Sequence, residues 1–175
     1  MRFHLTLARQ VLSTTPPVLR AMLDGLGDDW TRAPYGPGTF SPFDVLGHLI
    51  DGERQDWIPR LRIILEHGPS RPFDPFDHTA KGSTGDGDSI PTRLRTLEAL
   101  RAENLRALES LRLTEGDLDR VGTHPAFGPV TARQLLSTWV AHDLHHRAQV
   151  CKAMAWQYKE EVGPWRAYLN ILPQP

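Results

Sequence analysis

The stretch that most constrains this chain is VAHDLHHRAQ, Val140 to Gln149, which sets His142 and His146 four residues apart in a segment of helical periodicity. Four residues at about 100° each bring the two imidazoles within about 40° of one another on one helix face, one turn apart. Two neutral imidazoles so placed can direct lone pairs at one metal ion, as the two histidines of a helical zinc motif do. His145 lies about 60° to the other side of His142, so a pair of His142 with His145 is also geometrically open. The preferred pair is His142 with His146. A third ligand has to come from another element, and His48 in DVLGHLIDGE is the candidate. Spacing alone fits ordinary polar or interface histidines as well.

The flanking sequence reads as helices. Thr131 with Gln134 three residues later forms a capping box, and a fourth helix runs from Ala132 to about Gln157. Ser41 as N-cap, Pro42 at the first helical position and Asp44 at the third open a second helix that ends near His67, before Gly68 and Pro69. Pro59 predicts a kink in it near Gln55 to Trp57. The first segment has helical spacing from Leu5 to Leu26 but contains Pro16 and Pro17, which predicts a kinked helix or two pieces breaking near Thr14. A third helix spans Pro91 to about Leu111. Leu94, Leu97, Leu100 or Ala102, Leu105 and Leu108 form its buried stripe, and Arg93, Arg95, Glu98, Arg101 and Glu103 are expected to face water.

Between these lie the connections. Gly68 to Ser89 is long enough to suggest a functional loop. Its first half carries Phe73, Phe76 and His78 and is expected at the mouth of the site, whereas KGSTGDGDS has the composition of a mobile stretch. Thr114 caps a short turn. VGTHPAFGPVT reads as irregular, the tail as a short helix from Trp165 to Ile171, and no alternating run is long enough for a strand. Four main helices with crossover-length connections predict an all-α four-helix bundle, one domain over residues 1–175.

Composition narrows the function classes. With 20 basic and 21 acidic residues the net charge is −1, and no basic block occurs, which argues against nucleic acid. The single Cys151 excludes an internal disulfide and favours a reducing cytoplasm. No signal peptide and no run of 18 apolar residues is found, so neither secretion nor a membrane span is expected.

SPFDVLGHLIDGE opening the second helix, GPVTARQLLSTWVAHDLHH opening the fourth and the tail QYKEEVGPWRAYLNIL resemble, in that order, the DinB-like (damage-inducible) superfamily of bacterial helical bundles. The resemblance spans nearly the whole chain. It implies a four-helix bundle, often a homodimer, with a divalent metal held by one histidine of the second helix and two of the fourth, here His48, His142 and His146. Zinc and nickel both suit an all-nitrogen set.

Function is then expected in one of two classes. Some relatives transfer low-molecular-weight thiols such as bacillithiol or mycothiol, and others are amide hydrolases or isomerases. A metal-dependent enzyme would act on a small-molecule substrate, the best expectation being transfer of a thiol to an electrophile, or related hydrolysis. A non-catalytic metal-binding or stress-response module would instead close the fourth position with a protein ligand such as His78 or His145. Asp51, Glu53 and Asp143 are secondary candidates. Glu53 lies about 140° around the helix from His48, which suits an ion pair, and Asp143 points about 100° from His142. Trp139 and Arg147 border the pocket or the core, and Cys151 has no neighbouring base that would make it a nucleophile.

Overall fold

The computed structural model describes residues 2–77, 79, 81 and 88–173. Among these residues seven α-helices run in chain order: α1 (Leu5–Leu23), α2 (Asp28–Thr31), α3 (Pro42–Gln55), α4 (Trp57–His67), α5 (Ile90–Ser110), α6 (Glu115–Leu118) and α7 (Ala132–Trp156). α1, the kinked pair α3–α4, α5 and α7 form a four-helix bundle. α1 and α3 each pack against both α5 and α7, so the first two long helices lie diagonally across the bundle. Among the described residues no helix is long and apolar enough to cross a membrane.

The starts follow from their caps. The Asp44 N–H donates to Ser41 Oγ at 3.2 Å while the Ser41 N–H donates to the Asp44 carboxylate at 3.0 Å, and Thr131 and Gln134 exchange the same two bonds. The break between α3 and α4 falls at Asp56 (φ −102°, ψ −73°). It lies where Pro59 can neither donate to nor clear the Gln55 carbonyl.

α1 is continuous through Pro16 and Pro17, one of the two forms the sequence allowed. Pro16 cannot donate to the Leu12 carbonyl, which would be a costly orphan in the core. Arg101 of α5 supplies the missing bond, with Nη1 donating to Leu12 O at 2.7 Å.

That bond corrects the reading of α5. Arg93 and Arg101 do not face water; both are buried, as is neither Leu100 nor Ala102. α5 begins at Ile90, with Ser89 as its N-cap. VGTHPAFGPVT is not irregular either. It is an antiparallel hairpin of β1 (Val121–His124) and β2 (Gly128–Thr131), turning at Gly128 with φ +72°. Alternation is too brief there to see, and the strands persist because they lie on the bundle: Phe73 N–H donates to Thr123 O at 2.9 Å and Pro72 bridges Thr123. The tail forms a 3₁₀ segment at Gly163–Tyr168, with Trp165 and Tyr168 exposed, rather than a helix over Trp165 to Ile171.

The core divides into two apolar clusters. One gathers Leu12, Trp57, Leu61, Ile64, Phe73, Leu108, Leu136 and Trp139. The other gathers Leu19, Leu23, Leu46, Leu49, Leu94, Leu97 and Val150. On every long helix the residues between the two sets include buried polar groups: Thr15, Glu53, Arg101, and Asp143 with His146.

Close packing beside His48 depends on Gly47. A Cβ there would collide with the Arg93 guanidinium and the Lys81 carbonyl. Arg93 is fixed by Phe43 O at 2.7 Å and by the Asp88 carboxylate at 2.7 Å, so it has little room to yield. Gly47→Ala is therefore expected to cost about 1–3 kcal/mol of stability, the usual range for overpacking. Urea denaturation measures it; an unchanged midpoint would mean that Arg93 is not held where this packing requires.

Candidate metal centre

α3 and α7 bring His48, His142 and His146 together, as the sequence predicts. Their ligand-competent nitrogens lie within 4.8 Å of one another. His142 Nε2 is 3.1 Å from His48 Nε2 and 3.1 Å from His146 Nε2. His146 Nδ1 is 2.8 Å from Gln149 Oε1. Because that oxygen can only accept, Nδ1 carries the ring proton and Nε2 keeps its lone pair. His142 Nδ1 is buried and has no hydrogen-bond partner among the described residues.

The donor set fits a cation. His142 Nε2 has either one proton or one lone pair, so it can form one hydrogen bond but not two. With His146 Nε2 already a lone pair, no tautomer satisfies all three nitrogens with one another. A divalent ion at their centre accepts all three lone pairs at once. His145, the alternative partner of His142, is exposed and stands outside the cluster, its ring centroid 5.1 Å from that of His146. His78 lies outside the described residues.

Aromatic rings encase the triad. Phe40 meets His48 edge-on at 5.5 Å and lies parallel to His146 at 6.5 Å. Phe76 is 5.8 Å from His48, and Trp57 is 5.0 Å from His142, edge to face. The first half of the long connection thus reaches the site as expected, with Phe73 in the core and Phe76 against a candidate ligand. Arg60 helps to hold it there, donating to Asp74 O at 3.3 Å. Of KGSTGDGDS, only Lys81, Asp88 and Ser89 are described. On its open side the triad faces a cleft of about 370 Å³ lined by Tyr35, Gly38, Thr39, Phe40, His145 and Gln149 together with the three histidines. Among the described residues that lining includes no carboxylate.

The carboxylates proposed from sequence lie elsewhere. Asp51 is 4.0 Å from Arg54 on its own helix. Glu53 and Asp143 are buried on the core side, both paired with Arg101. Glu53 Oε1 accepts from Arg101 Nε and Nη2 and from Trp139 Nε1, and Oε2 accepts from Asn104 Nδ2. Burial pushes the Glu53 carboxyl up, against the pull of Arg101 and Asn104. Every bond it makes to a side chain comes from a donor, so we take it as ionised. For Arg101, burial alone would lower the guanidinium, but Glu53 and Asp143 outweigh it and raise it above its ordinary value. Trp139 belongs to the core, Arg147 reaches Thr14 on α1, and Cys151 is a half-buried free thiol.

Arg101 is what sequence reasoning missed. Its signal was present, because Leu94, Leu97, Arg101, Leu105 and Leu108 follow one another at intervals of three, four, four and three. That is the stripe of a buried helix face, with Arg101 at its centre.

Comparison with known proteins agrees with this geometry. The sequence profile of the DinB superfamily matches residues 12–150. A protein of Geobacillus thermodenitrificans named "Putative metal-dependent hydrolase" is 31% identical over 141 residues, covering 77% of this chain and 75% of that one. A protein of Geobacillus kaustophilus with the same description is 30% identical over 138 residues, again 77% and 75%. Among solved structures, YfiT from Bacillus subtilis, described as "a probable metal-dependent hydrolase with an unusual four-helix bundle topology", superposes with a TM-score of 0.72. It is 23% identical and covers 90% of this chain and 87% of its own. That likeness establishes the fold.

Burial, and then the neighbouring imidazoles, push His142 down to about 2; burial and His48 lower His146 to about 4. The unfolded chain holds both rings near about 6.5. Between these values the unfolded state binds more protons, so stability rises with pH there and is lost as pH falls below about 6.5. Metal-free protein should therefore melt at a lower temperature at pH 5 than at pH 7. His142→Ala should shrink that difference by a slope on the order of 1 kcal/mol per pH unit. An unchanged pH dependence in the variant would show that the ring is not held neutral.

Proposed function

The chain belongs to the DinB superfamily, and from that premise we propose that it is a metal-dependent enzyme whose divalent ion is held by His48, His142 and His146. The observation that carries the proposal is the convergence of three imidazole nitrogens at the floor of an open cleft. A structural site would be closed by a fourth protein ligand, whereas three ligands beside a cleft leave a position for a reactant. A bound ion supplies Lewis acidity there, lowering the pKa of water or of a thiol that reaches the open position.

The protein's own groups do the rest. Gln149 fixes the His146 tautomer, so that ring presents a lone pair without rearrangement. Phe40, Phe76 and Trp57 restrict the ring orientations and keep the site apolar, which strengthens electrostatic interactions within it. Among the described residues no carboxylate lining the cleft offsets a dication, so the site favours an anionic fourth ligand. The names of the relatives support hydrolysis. A described lining without a carboxylate supports thiol transfer as a second reading, because a thiol bound to a metal is deprotonated without a general base. Zinc and nickel are the ions such nitrogen ligands suit.

Metal analysis of the purified protein tests the centre. The parent is expected to carry about one ion per chain, as a mononuclear three-histidine site requires. His48→Ala, His142→Ala and His146→Ala should lose most of it while staying helical, and His145→Ala should keep it. Loss in His145→Ala with retention in His146→Ala would move the site to the other face of α7; no change in any variant would remove it. Turnover of an amide and ester panel against conjugation of small thiols to an electrophile, each with and without chelator, then separates the two chemistries. Turnover of neither, with metal bound, would favour a non-catalytic role.

A further inference from the structure

Arg101 touches none of the three histidines, yet all five of its N–H donors are used, and every acceptor lies on another long helix. Nε donates to Glu53 Oε1 at 3.0 Å and Nη2 donates to the same oxygen at 2.6 Å. Nη2 also reaches Asp143 Oδ1 at 3.0 Å, and Nη1 is shared between Asp143 Oδ2 and Leu12 O. A guanidinium has five N–H donors in a rigid plane, so this site is saturated. One residue of α5 thereby fixes α1, α3 and α7 at a single level.

That level is the level of the site. Asp143 is the residue after His142, and Glu53 is five residues beyond His48, about 7.5 Å along the axis. Asp143 and His142 leave α7 on different faces, one toward Arg101 and one toward the cleft, so a shift or rotation of α7 at Asp143 moves His142 with it. Trp139, one turn before His142, donates to Glu53 Oε1 at 3.2 Å and stacks on Trp57 at 5.7 Å, and Trp57 in turn contacts His142. The network is thus continuous from Arg101 to a candidate ligand through packed groups.

Burying three charges is a poor way to gain stability. Apolar residues of the same volume usually serve as well or better, and ion networks in cores are best explained where they fix a register. Here the register that matters is that of α3 against α7, because His48 stands on one and His142 and His146 on the other. We propose that Arg101, through Glu53 and Asp143, is a positioning residue for the three-histidine centre: it sets the separation and rotation of α3 and α7 at which the three nitrogens converge. This rests on the metal-centre reading above.

The test is zinc affinity, measured by competition with a chromophoric chelator, alongside helicity and melting temperature of the metal-free proteins. Arg101→Lys keeps the charge and loses the planar fork. Asp143→Asn keeps the shape and one acceptor, which covers the case in which Arg101→Lys does not fold. Ile90→Ala, a core truncation at the far end of α5, controls for general destabilisation. We expect zinc to bind about tenfold more weakly in both network variants, the lower end of what loss of a supporting partner usually costs. The Ile90 variant should melt earlier yet bind zinc as the parent does. Zinc affinity within twofold of the parent in Asp143→Asn, or in folded Arg101→Lys, overturns the positioning role. An equal loss in Ile90→Ala overturns it too, because the effect would then be general. A parent that binds no zinc, nickel or other divalent ion sinks the metal centre itself, and the positioning role with it, whereas equal affinities throughout sink only the latter.

Discussion

The structure turns on one buried guanidinium. Arg101 is 2% exposed, and its partners Glu53 and Asp143 are 2% and 0% exposed. Three charges at that depth exist only because every guanidinium donor is used and every carboxylate oxygen accepts a bond. Removing Arg101 leaves two uncompensated carboxylates, which is far costlier than the network is stabilising. The apolar core is organised around that requirement. It does not run unbroken through the bundle but forms two clusters, one on each side of the polar level. Even the proline pair of α1 fits this constraint, since the carbonyl that Pro16 leaves free is the one Arg101 takes.

The same level carries two kinds of polar group with opposite needs. On the core side Glu53 and Asp143 face the Arg101 guanidinium and take its donors. On the cleft side burial pushes His142 and His146 below the ordinary imidazole range, and together with His48 they are backed by aromatic rings. Sorting charged from neutral groups onto two faces of the same helices lets α3 and α7 be locked together without placing a carboxylate among the candidate ligands. An acid in the cleft would instead compete for the ion and add charge to it. The fixed angle between successive helical residues makes the sorting possible: Asp143 and His142 diverge by about 100° although they are neighbours in sequence.

How much of this was legible in the sequence divides along physical lines. Helix starts were legible because caps are local: Ser41 with Asp44 and Thr131 with Gln134 bond as the spacing demands. The α3–α4 break was legible because proline acts on the carbonyl four residues back. The convergence of the histidines followed from helical geometry for His142 and His146, and from family resemblance for His48. What was hidden depended on tertiary partners. Arg93 and Arg101 look like solvent-facing cations until the Phe43 carbonyl meets the first, and Glu53 and Asp143 the second, from distant positions. The β-hairpin at Val121–Thr131 has too short an alternation to announce itself and is fixed by the segment around Phe73. The choice between a kinked α1 and two pieces was likewise settled by Arg101, a residue nearly 90 positions away.

A site built this way is prepared for a metal before one arrives. In solution an imidazole is partly protonated near neutral pH, and a metal must displace that proton before it can bind. Burial within an aromatic casing disfavours the protonated form, and the two depressed rings therefore hold their lone pairs well below the pH at which a free histidine would lose its own. The energy comes from the fold: keeping neutral, mutually repelling nitrogens a few ångströms apart destabilises the metal-free chain, and the two apolar clusters and the Arg101 network offset it. A divalent ion would relieve the crowding of lone pairs and add two positive charges to a cleft whose described lining carries no carboxylate. A position left open on such an ion would be biased toward an anion, and deprotonation of a small nucleophile there would be favoured by the charge balance of the protein itself. The approach to the histidines is shaped by Tyr35, Thr39 and Phe40, which line the cleft above them.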